Sequence, residues 1–131
     1  MLAKIKQMNA NILVHEATSD LFEKYKQSSI LLLTSWYEPF GLVLPEAMSC
    51  GLPVVAFDCP YGPADIITDG VDGFLISKRS LEDFANRVCQ LIDNLDLRVK
   101  MGKSGIESSK KYAESCIMPL WKQLFDRLAQ Q

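Results

Sequence analysis

The chain has 131 residues, an apolar fraction of 48% and a formal charge of -2. That is enough for one modest core, and the lack of a basic block argues against a nucleic-acid partner. No apolar run reaches the ~18 residues of a membrane helix, and the first nine residues, MLAKIKQMN, are too polar for a secretion leader, so the cytoplasm is the expected compartment.

In chain order, the spacing of Leu2, Ile5 and Met8 predicts the tail of a helix, and Ile12-Leu13-Val14 predicts a strand left through His15 to Thr18. Thr18 or Ser19 is expected to cap a helix of about residues 20–27, burying Leu21, Phe22 and Tyr25. Two short apolar runs bounded by turn residues, Ile30 to Thr34 and Pro53 to Phe57, read as buried strands. A helix of about residues 43–50 lies between them and makes a βαβ unit with parallel strands. Ala64 to Thr68 reads as one helical turn and Phe74-Leu75-Ile76 as a last strand. From Ser80 the period becomes helical, with Leu81, Phe84, Ala85, Val88, Leu91, Ile92 and Leu95 on one face and Ser80 with Asp83 resembling a capping box. Asp96 to Tyr112 reads as helix weakened by Gly102 and Gly105. A final helix holds Leu120, Trp121, Leu124, Phe125 and Leu128, with Pro119 either its first residue or a weak point after an earlier start. The four cysteines, Cys50, Cys59, Cys89 and Cys116, show no CxxC spacing. They read as reduced structural thiols rather than disulfides or a metal site, with Cys50 and Cys89 on buried helix faces.

The stretch from Leu31 to Asp58, LLLTSWYEPFGLVLPEAMSCGLPVVAFD, organises the rest. Pro45 falls in the first helical turn, where its missing N–H is no loss. Gly51 sits where a helix ends in a left-handed residue, and Pro53 stops continuation. Gly41 allows a tight turn and close approach of a ligand to the backbone. The N–H groups of Leu42, Val43 and Leu44, with the helix dipole, would form an anion site at the carboxyl edge of the sheet. Glu38 and Glu46 flank it, so a phosphate at the helix end with hydroxyl acceptors on either side would suit a nucleotide sugar.

The segment Glu38-Pro-Phe-Gly-Leu-Val-Leu-Pro-Glu46 resembles the E-x7-E signature of family 4 retaining glycosyltransferases, which have the two-domain GT-B fold. The likeness runs on through Ala47 to Val55, Gly62-Pro-Ala-Asp-Ile-Ile-Thr-Asp-Gly70 and Asp72-Gly-Phe-Leu-Ile76. It implies an α/β fold: a Rossmann-like parallel sheet with flanking helices, an incomplete GT-B carboxyl-terminal domain filling residues 1–131, with a helical tail from about residue 80. In the Rossmann order the two strands expected between the Ile12 and Ile30 strands are missing, so the chain must pair these two directly, in a sheet of four parallel strands, or borrow strands from a second copy.

The resemblance implies roles for residues that are bland by themselves. Glu46, mid-helix, is otherwise an ordinary solvated helix former; its counterpart binds the ribose hydroxyls, accepting from both. Glu38, otherwise a surface charge, matches the glutamate beside the transferred sugar and the developing positive charge, the catalytic position. Backbone groups of Phe40 and Gly41 would hold sugar hydroxyls, and those of Leu42 and Val43 the distal phosphate. Glu16, Ala17 and Thr18, at the end of the Ile12 strand, fall where the family's base-contacting loop lies. His15 matches no catalytic histidine of the family and reads as a packed residue. Asp58, Asp65 and Asp69 read as turn and cap residues. Trp36 and Tyr37 either line the sugar pocket or cover the sheet edge. Where many relatives have Gly-Gly-x-x-Glu, this chain has Tyr61-Gly62-Pro63-Ala64-Asp65.

The family's glycine-arginine turn and lysine, which clamp the diphosphate, have no match; Lys4 and Lys6 do not fit. No cofactor is implied, and with no DxD motif no metal. The expected partners are a nucleotide-diphosphate sugar, uridine-based by resemblance, and an amino-terminal acceptor domain, through which alone a membrane would be touched. Exposed strand edges and the final helix stripe imply self-association. Two readings stand: the donor-binding part of a surface-polysaccharide transferase, inactive alone, or a non-catalytic α/β nucleotide-binding or interaction module.

Overall fold

The computed structural model describes residues 11–130. The helix tail expected around Leu2 to Met8, with Lys4 and Lys6, lies outside them. The elements are α1 (Leu21–Lys26), β1 (Leu31–Leu33), α2 (Val43–Ser49), β2 (Val54–Phe57), α3 (Pro63–Ile66), β3 (Gly73–Ile76), α4 (Leu81–Asp93), α5 (Leu95–Ser109) and α6 (Glu114–Leu128). Short 3-10 turns at Ser77–Arg79 and Lys110–Tyr112 precede α4 and α6.

The three strands form one parallel sheet in the order β1-β2-β3. Leu31 pairs with Val54 and Leu33 with Ala56; Val54 pairs with Gly73 and Phe57 with Ile76. Side chains alternate across a strand, so β2 feeds two cores. Val54 and Ala56 join Leu44, Ala47 and Met48 of α2, together with Ile66 and Ile67. Val55 and Phe57 join Phe74, Phe84, Leu91 and Met101 on the opposite face. A strand covered on both faces is apolar throughout rather than alternating, which is why Val-Val-Ala-Phe reads as a continuous run. Leu44 and Met48 are fully buried, each stabilising the fold by about 1.5–3 kcal/mol relative to exposure.

The signals at the end of α2 and the start of α4 act as the sequence suggests. Gly51 follows α2 with φ +78°, and Ser80 Oγ accepts from the Asp83 amide at 3.1 Å. Asn94 Oδ1 accepts from the Leu97 amide at 2.9 Å, separating α4 from α5. Gly102 and Gly105 do not interrupt α5. Gly102 lets it lie against the end of α2: a Cβ there would stand 2.1 Å from the Gly51 carbonyl oxygen. Asp72, fully buried, ties the same helix to the sheet, accepting from the Thr68 amide at 2.8 Å and the Ser108 hydroxyl at 2.6 Å.

Several expectations are corrected. The sheet has three strands, not four: Ile12, Leu13 and Val14 form no strand and are 50, 78 and 49% exposed. Among the described residues nothing pairs with the outer edge of β1, so the expected pairing of this triplet with β1 is not made and its backbone gains no strand hydrogen bonds. Thr18 and Ser19 do not cap α1. Asp20 stands at its start without a side-chain cap, and Thr18 Oγ1 instead accepts from the Asp20 amide at 3.0 Å. Of the side expected to be buried there, only Tyr25 is; Leu21 and Phe22 are exposed. On α4, Phe84 and Leu91 are buried, whereas Leu81, Ile92 and, just beyond it, Leu95 are exposed. Cys89 is exposed and Cys50 half-buried, while Cys59 is the buried thiol; all four cysteines are free. The final helix starts early, with Pro119 inside it, and it buries none of its residues fully.

Candidate functional site

The candidate site is built on the carboxyl end of β1 and the start of α2. The loop from Thr34 to Leu42 joins them. Within it Gly41 is buried with φ +86°, a backbone state that side chains disfavour, and its carbonyl accepts from the Leu44 amide at 2.9 Å. The expected anion-binding set of three amides is therefore smaller: Leu44 is engaged. The amides of Leu42 and Val43 make no hydrogen bond among the described residues.

Glu38 is half-buried, and its Oε1 accepts from Ser35 Oγ at 2.6 Å. A Cβ on Gly41 would lie 3.8 Å from the Glu38 side chain, so this carboxylate stands beside the turn that opens α2. Glu46, one turn along α2, is also half-buried. Its Oε2 accepts from the Tyr25 hydroxyl at 3.1 Å. Tyr25 is 5% exposed. Burial, and then the Glu46 carboxylate beside it, hold its phenol well above the ordinary tyrosine range, so it stays a proton donor to Glu46.

The structure thus brings Glu38, Gly41, Leu42, Val43 and Glu46 to one edge. Phe40 faces another way: its ring meets Tyr112 edge-on at 5.4 Å. Its carbonyl packs on Gly62, where a Cβ would approach to 2.3 Å, so any Phe40 contribution to a ligand comes through the backbone. Glu16, Ala17 and Thr18 are exposed and leave no strand. With His15, Glu16 and Thr18 edge an open depression beside α1, shared with Lys24 and Gln27. No described hydrogen bond joins them to Glu38 or Glu46. His15 is exposed rather than packed.

Three residues at this edge escaped the sequence reading: Ser35, Tyr25 and Arg79. Tyr25 reads as a core aromatic, and its link to Glu46 spans 21 residues. Ser35 is three residues from Glu38, a local spacing that sequence alone could have flagged. Tyr61, in the stretch that departs from Gly-Gly-x-x-Glu, holds φ +66°, the conformation a glycine would adopt freely. It meets Tyr37 edge-on at 6.3 Å. Among the described residues no group of three or more His, Cys, Asp or Glu is placed to hold a metal, and no helix is long and apolar enough to cross a membrane.

Comparison with known proteins gives the family and the fold. The chain belongs to the glycosyl transferases group 1 family, whose pattern it matches over residues 1–108. It is 34% identical over 122 residues to the poly(ribitol-phosphate) alpha-N-acetylglucosaminyltransferase of Staphylococcus aureus, covering 92% of this chain and 25% of that protein. It is 32% identical over 128 residues to the amylovoran biosynthesis glycosyltransferase AmsD of Erwinia amylovora, covering 96% and 36%. A mutant of S. aureus TarM in complex with Fondaparinux, alpha-GlcNAc-glycerol and UDP superposes with a TM-score of 0.88 at 32% identity, over 95% of this chain and 26% of that one. The chain therefore spans a quarter to about a third of these relatives. The α/β architecture is that of part of a GT-B glycosyltransferase, and the relatives are named as a poly(ribitol-phosphate) glycosyltransferase and an amylovoran biosynthesis glycosyltransferase.

Proposed function

We propose that this chain is the donor-binding part of a retaining glycosyltransferase of the family 4 kind. It takes a uridine-diphosphate-linked sugar, without a metal, and passes the sugar to a glycan or lipid-linked acceptor in surface polysaccharide synthesis, in the cytoplasm. The observation that carries the reading is the pairing of two oriented carboxylates at one helix start. Glu38 is held by Ser35 on one side of the Leu42 and Val43 amides, and Glu46 is held by Tyr25 on the other. In this arrangement the distal phosphate lies at the helix start, where free amides and the helix dipole favour an anion. Glu46 accepts from the ribose hydroxyls, and Glu38 faces the transferred sugar as its leaving group departs. The Tyr25 donor occupies one Glu46 oxygen and fixes the direction of the other, so the ribose meets a preset acceptor. Transfer needs an acceptor-binding part and a diphosphate clamp in addition, so this segment by itself is proposed to hold donor without turning it over.

Titration calorimetry with UDP tests the reading. Glu46→Ala is expected to weaken binding by ~1–3 kcal/mol, the cost of losing hydrogen bonds to a charged acceptor. Unchanged affinity would remove Glu46 from the site and favour the alternative of a non-catalytic module.

A further inference from the structure

Two consecutive residues just beyond β3, Lys78 and Arg79, have φ of +53° and +51°, a region that side chains other than glycine's rarely enter. Such strain persists only where the surroundings over-determine it. Here it turns the Arg79 side chain back across the ends of the strands. Nη1 donates to the Ser35 carbonyl at 2.7 Å and Nη2 to the Thr34 carbonyl at 3.0 Å, 44 and 45 residues upstream. The guanidinium also lies 3.7 Å from the centre of the Trp36 ring and 4.4 Å from that of Phe57. One side chain thus ties together the segment leaving β1, the last residue of β2 and the turn after β3. Arginine is suited to such a tie. Its planar fork meets two successive carbonyls and its faces stack on rings, neither of which a lysine ammonium reproduces.

Ser35 is the residue this fork holds by its carbonyl, and the hydroxyl of the same Ser35 donates to Glu38. We propose that Arg79 is a positioning residue for Glu38: by fixing Thr34 to Trp36 it aims the Ser35 hydroxyl and so sets the carboxylate against the transferred sugar. The second half of this statement rests on the donor-site reading above. Nothing in it gives Arg79 a contact with the nucleotide, whose ribose is assigned to Glu46.

The test uses the 131-residue chain with Arg79→Gly, Arg79→Lys, Ser35→Ala and the Arg79→Gly/Ser35→Ala pair. Glycine takes up the left-handed backbone without strain, so Arg79→Gly removes the fork and leaves the turn able to fold. Amide hydrogen exchange is expected to quicken about tenfold in Arg79→Gly at Leu44, whose amide closes the loop on the Gly41 carbonyl at 2.9 Å, the scale of a lost hydrogen bond, with the rest of α2 and α4 unchanged. Titrations with UDP and UDP-N-acetylglucosamine form the second arm. UDP affinity is expected to stay within about twofold, while the preference for the sugar-bearing donor over UDP falls by about tenfold, one hydrogen bond's worth of orientation. Arg79→Lys and Ser35→Ala should show the same fall, and the pair no further fall than either alone. Unaltered exchange at Leu44 would overturn the hold on Thr34 to Trp36. A wild-type donor preference retained in Arg79→Gly would overturn the link to Glu38. Should the unaltered chain bind neither UDP nor the sugar nucleotide, the donor reading falls together with the sugar half of this proposal, and exchange alone then decides whether Arg79 holds the loop.

Discussion

Two apolar runs of nearly the same character meet opposite fates in this chain. Val54 to Phe57 is buried to 0–2% exposure and hydrogen-bonded on both sides. Ile12 to Val14 is half to three-quarters exposed and forms no strand. Residue type does not separate them, since both are β-branched or otherwise apolar. The difference is supply of neighbours. Val54 to Phe57 has β1 and β3 beside it, α2 on one face and α4 with α5 on the other. A strand is stable only in company, so local pattern specifies it only when the rest of the chain delivers partners.

The sharpest way to break that comparison is to disturb the company rather than the strand. α5 covers the β2 unit through a backbone approach at Gly102, where a Cβ would lie 2.1 Å from the Gly51 carbonyl oxygen. Alanine gains about 1 kcal/mol of helix propensity over glycine. Forcing backbone apart in a packed core costs up to about 3 kcal/mol, and the clash wins. Gly102→Ala is expected to lower the unfolding free energy by about 2 kcal/mol, read from the urea midpoint. Gly105→Ala is the internal control. Its Cβ would meet Met48 at 3.4 Å, an ordinary contact, so the propensity gain survives and stability should hold or rise. Equal effects of the two would show that helix propensity, not the approach to Gly51, governs α5.

The same contrast explains what is legible in the sequence. The β1–α2–β2 unit and the start of α4 can be read because their signals are local: Pro45 in a first turn, Gly51 after the helix, Ser80 three residues before Asp83. Its resemblance to a family adds the two glutamates. What cannot be read depends on distance along the chain. Arg79 reaches Thr34 and Ser35 across 44 and 45 residues, and Tyr25 reaches Glu46 across 21; no periodicity encodes either. Gly102 looks like a weakness because propensity is a property of the isolated helix, whereas its small size serves a neighbour. The Ile12 strand is expected from pattern and family order, and its expected pairing with β1 is not made, because an apolar run alone does not hold a strand in place without the strands that flank it in the complete sheet.

Tyr25 lies on the boundary between the two regions, on α1 yet packed into the α2 core. Tyr25→Phe keeps the ring and removes the donor to Glu46. The lost hydrogen bond to a charged, half-buried acceptor should cost about 1 kcal/mol near pH 7. The effect carries a pH signature. The folded phenol is held above its ordinary range, so the folded chain keeps its proton where the unfolded chain, titrating near ~10, gives it up. Stability from Tyr25 is therefore full below ~10 and is lost as pH rises above that value. Urea unfolding of both proteins at neutral pH and above ~10 should show the gap narrowing as the solution becomes alkaline. A gap independent of pH would mean that the hydroxyl is not held protonated by its setting.

The smallest expected effect concerns the amino-terminal run itself. Val14→Asn replaces a half-exposed apolar side chain with a polar one that cannot rebuild its burial. In the core such a change would cost several kcal/mol, because the amide would lose water without gaining partners. At Val14, which is 49% exposed and outside any strand, the unfolding free energy should move by less than about 0.5 kcal/mol. A loss above ~1 kcal/mol would place the segment against the sheet in solution and restore the missing neighbour of β1. Light scattering over a concentration series separates the remaining routes by which the open edge could be covered. Leu32 on the edge of β1 and the Trp121 and Phe125 stripe of α6 are all about half exposed or more, and association through either should raise the apparent mass with concentration. Leu32→Lys places a charge on the strand edge, a device that opposes edge pairing, and should abolish a rise due to the sheet. Trp121→Lys should abolish one due to α6. A mass fixed at that of one chain throughout would show that an unpaired strand edge and an uncovered helix can coexist in a monomer, and that the company β1 lacks is not supplied by a second copy.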